Sequence, residues 1–169
     1  MQQSRVIPRP RSFACDLATL CAPTLAGLKP ASLFRYQPAP GQDAAAMAAA
    51  WHAELSPRGV TVRVLRQCPR TGAVLVYVYR PARVARLLAA PHMLDFLAGE
   101  GYTPGTADEL LDQLAERLCC EGDFPHEIGV FLGYPLADVI GFIQKPRQKL
   151  YRVRLLEGLH RSHRRAGRV

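Results

Sequence analysis

Residues 73–79 read Ala-Val-Leu-Val-Tyr-Val-Tyr, and the predicted architecture follows from them. Every side chain in this segment is apolar or aromatic, so a strand formed here would be buried on both faces. Upstream, residues 60–64 read Val-Thr-Val-Arg-Val, which is the alternation of a half-buried strand. Residues 68–72, Cys-Pro-Arg-Thr-Gly, supply turn-forming residues between the two. We therefore predict an antiparallel hairpin at about 60–80, whose second strand is central in a sheet.

Helix-forming patterns lie on both sides of this hairpin. Upstream, a helix over residues 12–27 begins at Ser12 and is interrupted by Pro23, and an alanine-rich helix begins at Asp43. Residues 28–42, between these helices, are predicted as a loop. Downstream, helices are predicted from patterns at 82–89 and 91–98, from a capping box at 106–109 and from apolar spacing after Pro135.

Together these elements predict an α+β fold, in which a small antiparallel sheet with a central hairpin is covered by several helices. A chain of 169 residues that is 49% hydrophobic suits one domain with a substantial core. We place this single domain at residues 12–144. Residues 1–11 are expected to be a disordered leader, because they lack the apolar centre of a signal peptide.

The cysteines and the apolar segments bear on compartment and partners. The cysteine count of 5 is odd and no Cys-x-x-Cys occurs, so we expect reduced thiols, a cytoplasmic location and no metal site. No apolar run has the length of a membrane span, so no membrane partner is expected. No cofactor is indicated.

The positive charge is confined to one end of the chain. The net charge is +8, and residues 145–169 hold nine Lys or Arg and a single acid, Glu157, which accounts for the whole excess. Nucleic-acid binding would therefore depend on this basic tail alone. Residues 125–144 also read as helix–Gly–helix, like a helix-turn-helix, but the second helix carries Asp138 and little positive charge. We do not expect nucleic acid as a partner, and binding through the tail is the second alternative.

Residues 124–135, Phe-Pro-His-Glu-Ile-Gly-Val-Phe-Leu-Gly-Tyr-Pro, place a titratable pair between two prolines and among apolar residues. We predict a helix that begins at Asp123, with His126 and Glu127 in its first turn. The helix dipole there disfavours imidazolium, so His126 is expected to be a neutral base, acceptor or ligand, and Glu127 an anion. Both are candidate catalytic residues. The alternative is a buried His126 that ties the loop to backbone groups.

Cys21 is the third candidate catalytic residue. It lies before Pro23, where the start of a short turn would lower the pKa of the thiol and make it more nucleophilic. Folding that brings Cys21 to His126 would form a thiol–imidazole pair. The alternative is that Cys21 is a small buried hydrophobic residue.

Two further residues are candidates for ligand binding. Lys29 lies in a Gly-x-Lys-Pro turn, whose rigidity suits binding of a phosphate or carboxylate, although the spacing is not that of a P-loop. A solvated lysine is the alternative. Tyr134 lies in the turn of the 124–135 segment, and a core position is the alternative for it, as it is for Tyr77 and Tyr79.

Three segments together resemble one uncharacterised bacterial family, the domain of unknown function number three-seven-nine-three. They are residues 21–31 (Cys-Ala-Pro-Thr-Leu-Ala-Gly-Leu-Lys-Pro-Ala), the strand at 74–81, and residues 124–135 with Leu136, Asp138, Val139, Gly141 and Phe142 behind them. The resemblance covers residues 21–143. It implies membership of a family without an assigned activity.

The resemblance ends after Ile143. Members of the family continue into a segment reading approximately Cys-Gly-Tyr-Trp-Lys-Val-Tyr, where residues 153–160 read Val-Arg-Leu-Leu-Glu-Gly-Leu-His. The codons GTG CGG CTA CTG GAA GGT CTA CAC, read one base later, encode the family segment. We hypothesise that residues from about 145 onward are an out-of-frame translation, which would leave apolar surface exposed. The alternative is a genuine basic, disordered tail. Sequencing the 3′ end of the gene tests the hypothesis, which requires a single-base insertion or deletion.

The functional expectation is a small cytoplasmic enzyme or ligand-binding protein whose pocket combines Cys21, Lys29 and His126. Its partner would be a small-molecule ligand. The alternative is a non-catalytic adaptor, in which the rigid 124–135 turn binds a partner protein.

Overall fold

The computed structural model describes residues 11–119 and 124–144. The predictions for the leader (apart from Arg11), for the helix start at Asp123 and for the segment from 145 onward lie outside these residues. The elements, in chain order, are α1 (Phe13–Leu20), α2 (Ala22–Leu25), β1 (Ala31–Tyr36), α3 (Ala44–Leu55), β2 (Thr61–Gln67), β3 (Val74–Tyr79), α4 (Pro81–Leu88), α5 (Pro91–Gly99), α6 (Ala107–Arg117), α7 (Ile128–Phe131) and α8 (Leu136–Gln144).

A three-stranded antiparallel sheet with the order β1-β3-β2 forms the centre of the fold. The central strand is β3, and all six of its residues are buried, as its apolar sequence predicts. The predicted hairpin and the α+β class are confirmed. Tyr77 and Tyr79, at 1% and 6% exposure, are core residues, as expected.

Strand β1 corrects the prediction of a loop over residues 28–42. Its six residues pair with β3 from Ala31 opposite Tyr79 to Tyr36 opposite Val74. The segment lies between prolines and is too short to show a clear period of its own. Pairing with β3 stabilises it as a strand, and that pairing is a contact between residues far apart in the sequence.

Helices cover both faces of the sheet. On one face, α1 and α3 pack against the alternate valines of β3 through a core that includes Phe13, Leu17 and Phe34. On the other face, α4 to α7 pack against Leu75 and its neighbours. The site described below lies at the C-terminal end of β3, where the turns after α2 and α7 meet the start of α4. No helix within residues 11–119 and 124–144 has the length and apolar character needed to cross a bilayer.

Several helix starts agree with their sequence signals. Ser12 accepts the Cys15 backbone N–H at 3.1 Å, and Asp43 accepts two N–H groups of α3. The capping box between Thr106 and Glu109 is complete. Pro23 is the exception, because it lies in the first turn of α2, where its missing N–H costs nothing, and the break in the helix comes before it at Cys21.

Candidate functional site

The turn after α2 and the turn after α7 pack directly against each other. Gly133 has a φ of +81°, and a Cβ atom added there would lie only 2.1 Å from Cγ of Pro30. Beside this contact, the Lys29 Nζ donates a hydrogen bond to the Tyr134 hydroxyl at 3.4 Å and lies 4.6 Å from the centre of its ring. The two predicted ligand-binding residues, Lys29 and Tyr134, are therefore neighbours in the structure.

Two arginines from the junction of β3 and α4 hold the turn after α2. Arg80 donates from Nε to the Thr24 carbonyl at 3.0 Å and from Nη2 to the Leu25 carbonyl at 2.8 Å. Arg83 donates to the carbonyl of Gly27. These carbonyls belong to the end of a helix, where backbone oxygens have no helical partner. The arginines thus join the first similarity segment to the strand segment.

An open groove lies beside this contact, between the two turns on one side and α4 on the other. It is lined by Pro30, Arg83, Arg86, Leu87 and Gly133. Arg83 and Arg86 are three positions apart on α4, so they lie on the same side of that helix. The groove is therefore lined by two arginines together with a proline, a leucine and a glycine.

This corner of the molecule is basic. Lys29, Arg80, Arg83 and Arg86 form no ion pair with any carboxylate in the part of the chain that the structure describes. Unpaired cations on one surface raise the local concentration of anions. Our sequence analysis missed the three arginines. Arg80, Arg83 and Arg86 follow the buried strand β3 at intervals of three residues. This spacing could have indicated that they lie on one face of a helix.

Cys21 is fully buried, in the core cluster with Phe13 and Leu17. Burial raises the pKa of the Cys21 thiol to about 12, and it outweighs the nearby charge of Lys29 and a hydrogen bond with Ser32, which act in the opposite direction. The expected lowering of this pKa is therefore wrong. Cys21 lies beside the Lys29 turn but behaves as a small buried hydrophobic residue.

His126 is exposed and lies before α7, which begins at Ile128. Its ring packs edge-on against Phe142, with the ring centres 5.4 Å apart. Both expectations for His126, a place in the first helical turn and the alternative of a buried histidine, are wrong. Within residues 11–119 and 124–144, no hydrogen bond joins His126 to Cys21, so the predicted thiol–imidazole pair is not formed.

Glu127, unlike the adjacent His126, is buried, with 5% exposure. Its Oε1 accepts hydrogen bonds from the Tyr102 hydroxyl at 3.1 Å and from Arg117 Nη1 at 3.2 Å. The Arg117 guanidinium also lies over the Tyr102 ring, 3.9 Å from its centre. Burial, together with the Glu127 charge, raises the pKa of Tyr102 above its ordinary value. Glu127 therefore anchors the 124–135 segment to α6.

The arrangement supports binding more directly than catalysis. The three candidate catalytic residues have separate surroundings: a core for Cys21, an exposed turn for His126 and a buried ion pair for Glu127. No group of three or more His, Cys, Asp or Glu side chains in the described part of the chain is placed to hold a metal ion. The groove, by contrast, places Arg83 and Arg86 beside each other on one surface.

The buried position of Cys21 predicts low reactivity of its thiol. In the folded protein at pH 8, we expect iodoacetamide to alkylate the exposed Cys15 and Cys119 and to leave Cys21 unmodified, because only the thiolate reacts. Peptide mass spectrometry after timed alkylation measures each site. The control is the unfolded chain in urea, in which all three should react at similar rates. Alkylation of Cys21 as fast as that of Cys15 in the folded protein would contradict this prediction and restore a nucleophilic role.

Comparisons with known proteins bear on the three similarity segments. Neither the curated proteins nor the solved structures include a match to this chain. One family model, described as "Protein of unknown function (DUF3793)", matches residues 17–154. The match is longer than the predicted 21–143 and includes the first part of the segment assigned to an out-of-frame translation, a hypothesis that stays a prediction. Because the match covers most of its 169 residues, the chain belongs to the DUF3793 family.

Proposed function

We propose that this protein binds a small anionic ligand, such as a phosphate or carboxylate, in the groove lined by Pro30, Gly133 and helix α4. The observation that carries the proposal is the set of basic side chains at this groove without a carboxylate partner among the described residues. Arg83 and Arg86 line the groove, and Lys29 adjoins its Pro30 wall. The proposal keeps the predicted ligand-binding roles of Lys29 and Tyr134 and adds the two arginines.

The donors at the groove suit an oxyanion. Arg86 makes no hydrogen bond or ion pair with any described residue, so its whole guanidinium is available to a ligand. Arg83 uses one nitrogen on the Gly27 carbonyl and keeps further N–H donors. Guanidinium groups match the geometry of carboxylate and phosphate oxygens, and charge-assisted hydrogen bonds are stronger than neutral ones. An anion would therefore gain several strong contacts.

The turns that form the groove are already held in place. Arg80 secures the end of α2, and its own backbone N–H donates to the Pro30 carbonyl at 2.9 Å. The Tyr77 hydroxyl donates to the Phe131 carbonyl, which holds the other turn to the central strand. A binding surface that is rigid before the ligand arrives loses less conformational entropy on binding. Cytoplasmic location stays part of the proposal, supported by the free thiols of Cys15, Cys21 and Cys119.

Titration with inorganic phosphate tests the proposal. We expect saturable binding that weakens as ionic strength rises, since exposed charges are screened by salt. Arg86→Gln should weaken binding about tenfold, because a charge-assisted hydrogen bond contributes about 1.5 kcal/mol or more. The matched control is Arg66→Gln, an exposed arginine on β2 outside the groove, which should bind phosphate like the wild type. Isothermal titration calorimetry at constant pH measures the dissociation constants. Absence of binding by both phosphate and acetate, or equal losses of phosphate affinity in the two variants, would contradict the proposal.

A protein-binding role is the second candidate, and one observation favours it. Leu28 is 80% exposed, and it is the one large hydrophobic side chain that is exposed in the described part of the chain. The backbone N–H groups of Leu28 and Lys29 both donate to the Pro23 carbonyl, at 2.8 and 3.1 Å, so the turn presents this side chain rigidly. A rigid exposed leucine beside basic residues suits an interface with a partner protein. If neither phosphate nor acetate binds, this adaptor role becomes the better proposal.

A further inference from the structure

We infer that the ligand of the groove is an amphiphilic anion, in which a short apolar group is joined to a carboxylate or phosphate. This inference rests on the proposed anion-binding function and specifies the class of ligand. It follows from the composition of the groove wall and from how firmly that wall is held.

The groove has two kinds of surface. Arg83 and Arg86 contribute positive charge, whereas Pro30, Leu87 and Gly133 contribute apolar surface. Inorganic phosphate would satisfy the arginines but would leave the apolar surface in contact with water. A ligand with a hydrocarbon or aromatic group beside its charge would cover both, and removal of apolar surface from water is favourable.

The apolar wall is rigid. Leu87 is half-buried and packs against the core on the α4 side of the sheet. Pro30 has a fixed ring and sits against Gly133, whose backbone adopts a positive φ and leaves no room for a side chain. This surface therefore cannot collapse onto itself when the groove is empty, so it stays available to an apolar group.

The openness of the groove limits the expected gain. Complete burial of one methylene group contributes about 0.8 kcal/mol of transfer free energy, which corresponds to about fourfold tighter binding. The groove is open, so it would cover the hydrocarbon chain of a ligand on one side only. We therefore expect about half of that free energy, or about a twofold gain in affinity for each methylene group. The arginines should provide most of the affinity for the charged end.

A series of straight-chain carboxylates tests the inference on the wild-type protein. Acetate, butyrate and hexanoate differ by two methylene groups at each step, so we expect the dissociation constant to fall about fourfold from acetate to butyrate and about fourfold again to hexanoate. Hexylammonium carries a similar chain with the opposite charge and should not bind. Titrations monitored by NMR at fixed pH and ionic strength give the dissociation constants. Equal affinity for the three acids, or binding of hexylammonium as tight as that of hexanoate, would overturn the inference.

The results separate the two proposals. If phosphate and all three acids bind with equal affinity, the anion-binding function stands and the amphiphilic ligand is rejected. If neither phosphate nor any acid binds, both fail. Two variants locate the contacts: Arg86→Gln should weaken all three acids by a similar factor, and Leu87→Ala should reduce the ratio of hexanoate to acetate affinity. Thermal unfolding checks that Leu87→Ala is folded, and the wild-type series decides the question even if that variant is not.

Discussion

Replacing Gly133 with alanine is expected to lower the free energy of unfolding by about 3–5 kcal/mol. Two costs combine at this position. The φ of +81° is strained for any residue with a Cβ atom, and that atom would lie 2.1 Å from Cγ and 2.7 Å from Cδ of Pro30. Neither contact can be relieved by rotation, since the proline ring is rigid. The turns that carry Lys29 and Tyr134 would therefore be pushed apart.

Gly41→Ala is the matched control for this variant. Gly41 has a nearly identical φ of +80°, but nothing lies within 4 Å of an added Cβ atom. It should lose only the cost of the backbone conformation, about 1 kcal/mol. Urea unfolding followed by circular dichroism measures both losses. Similar values for the two variants would show that the Pro30–Gly133 contact is not needed for stability. If the prediction holds, Gly133→Ala should also weaken phosphate binding, whereas Gly41→Ala should not.

The second large effect is expected for Glu127→Ala, which should lower the free energy of unfolding by about 2–4 kcal/mol. The change leaves the buried Tyr102 hydroxyl without its acceptor. It also removes the carboxylate that forms an ion pair with Arg117. We place the effect below that of a completely buried ion pair, since a third of the Arg117 side chain is exposed and water can solvate it. The loss should appear in urea unfolding without a change in the slope with denaturant.

Glu116→Ala provides the comparison, because Glu116 is an exposed glutamate on α6 without an ion pair among the described residues. It should unfold close to the wild type. A double-mutant cycle between Glu127→Ala and Tyr102→Phe isolates the hydrogen bond, with an expected coupling of about 1 kcal/mol or more. If Glu127→Ala is as stable as Glu116→Ala, Glu127 is not an anchor, and a chemical role for its carboxylate regains support.

Elements whose signals lie within a few residues were predicted from the sequence. The caps at Ser12 and Asp43 act within one helical turn, and the burial of β3 is visible in its own apolar residues. Strand β1 was missed because its stabilisation comes from pairing with β3, about forty residues away. The predicted helix break was placed at Pro23, whereas the structure has it at Cys21. The error arises because a proline can either end one helix or lie in the first turn of the next.

Of the candidate site residues, the structure brings Lys29 and Tyr134 together, whereas Cys21, His126 and Glu127 have separate surroundings. Lys29 and Tyr134 lie in two separate turns, and the packing of those turns against each other makes the two side chains neighbours. The reactivity of a thiol depends instead on its burial, which raises the pKa of Cys21. The adjacent His126 and Glu127 look equivalent in the sequence, yet one is exposed and the other is paired with Arg117.

Most of the helices, the central hairpin and membership of the family could thus be inferred from local patterns and motifs, because these depend on neighbouring residues along the chain. Which charged and apolar groups share a surface depends on contacts such as that between Lys29 and Tyr134, which are separated by 105 positions. Packing brings these groups together and sets their exposure to water. Packing thereby placed the arginines of α4 at the groove and buried Cys21. It also left His126 exposed, away from Cys21.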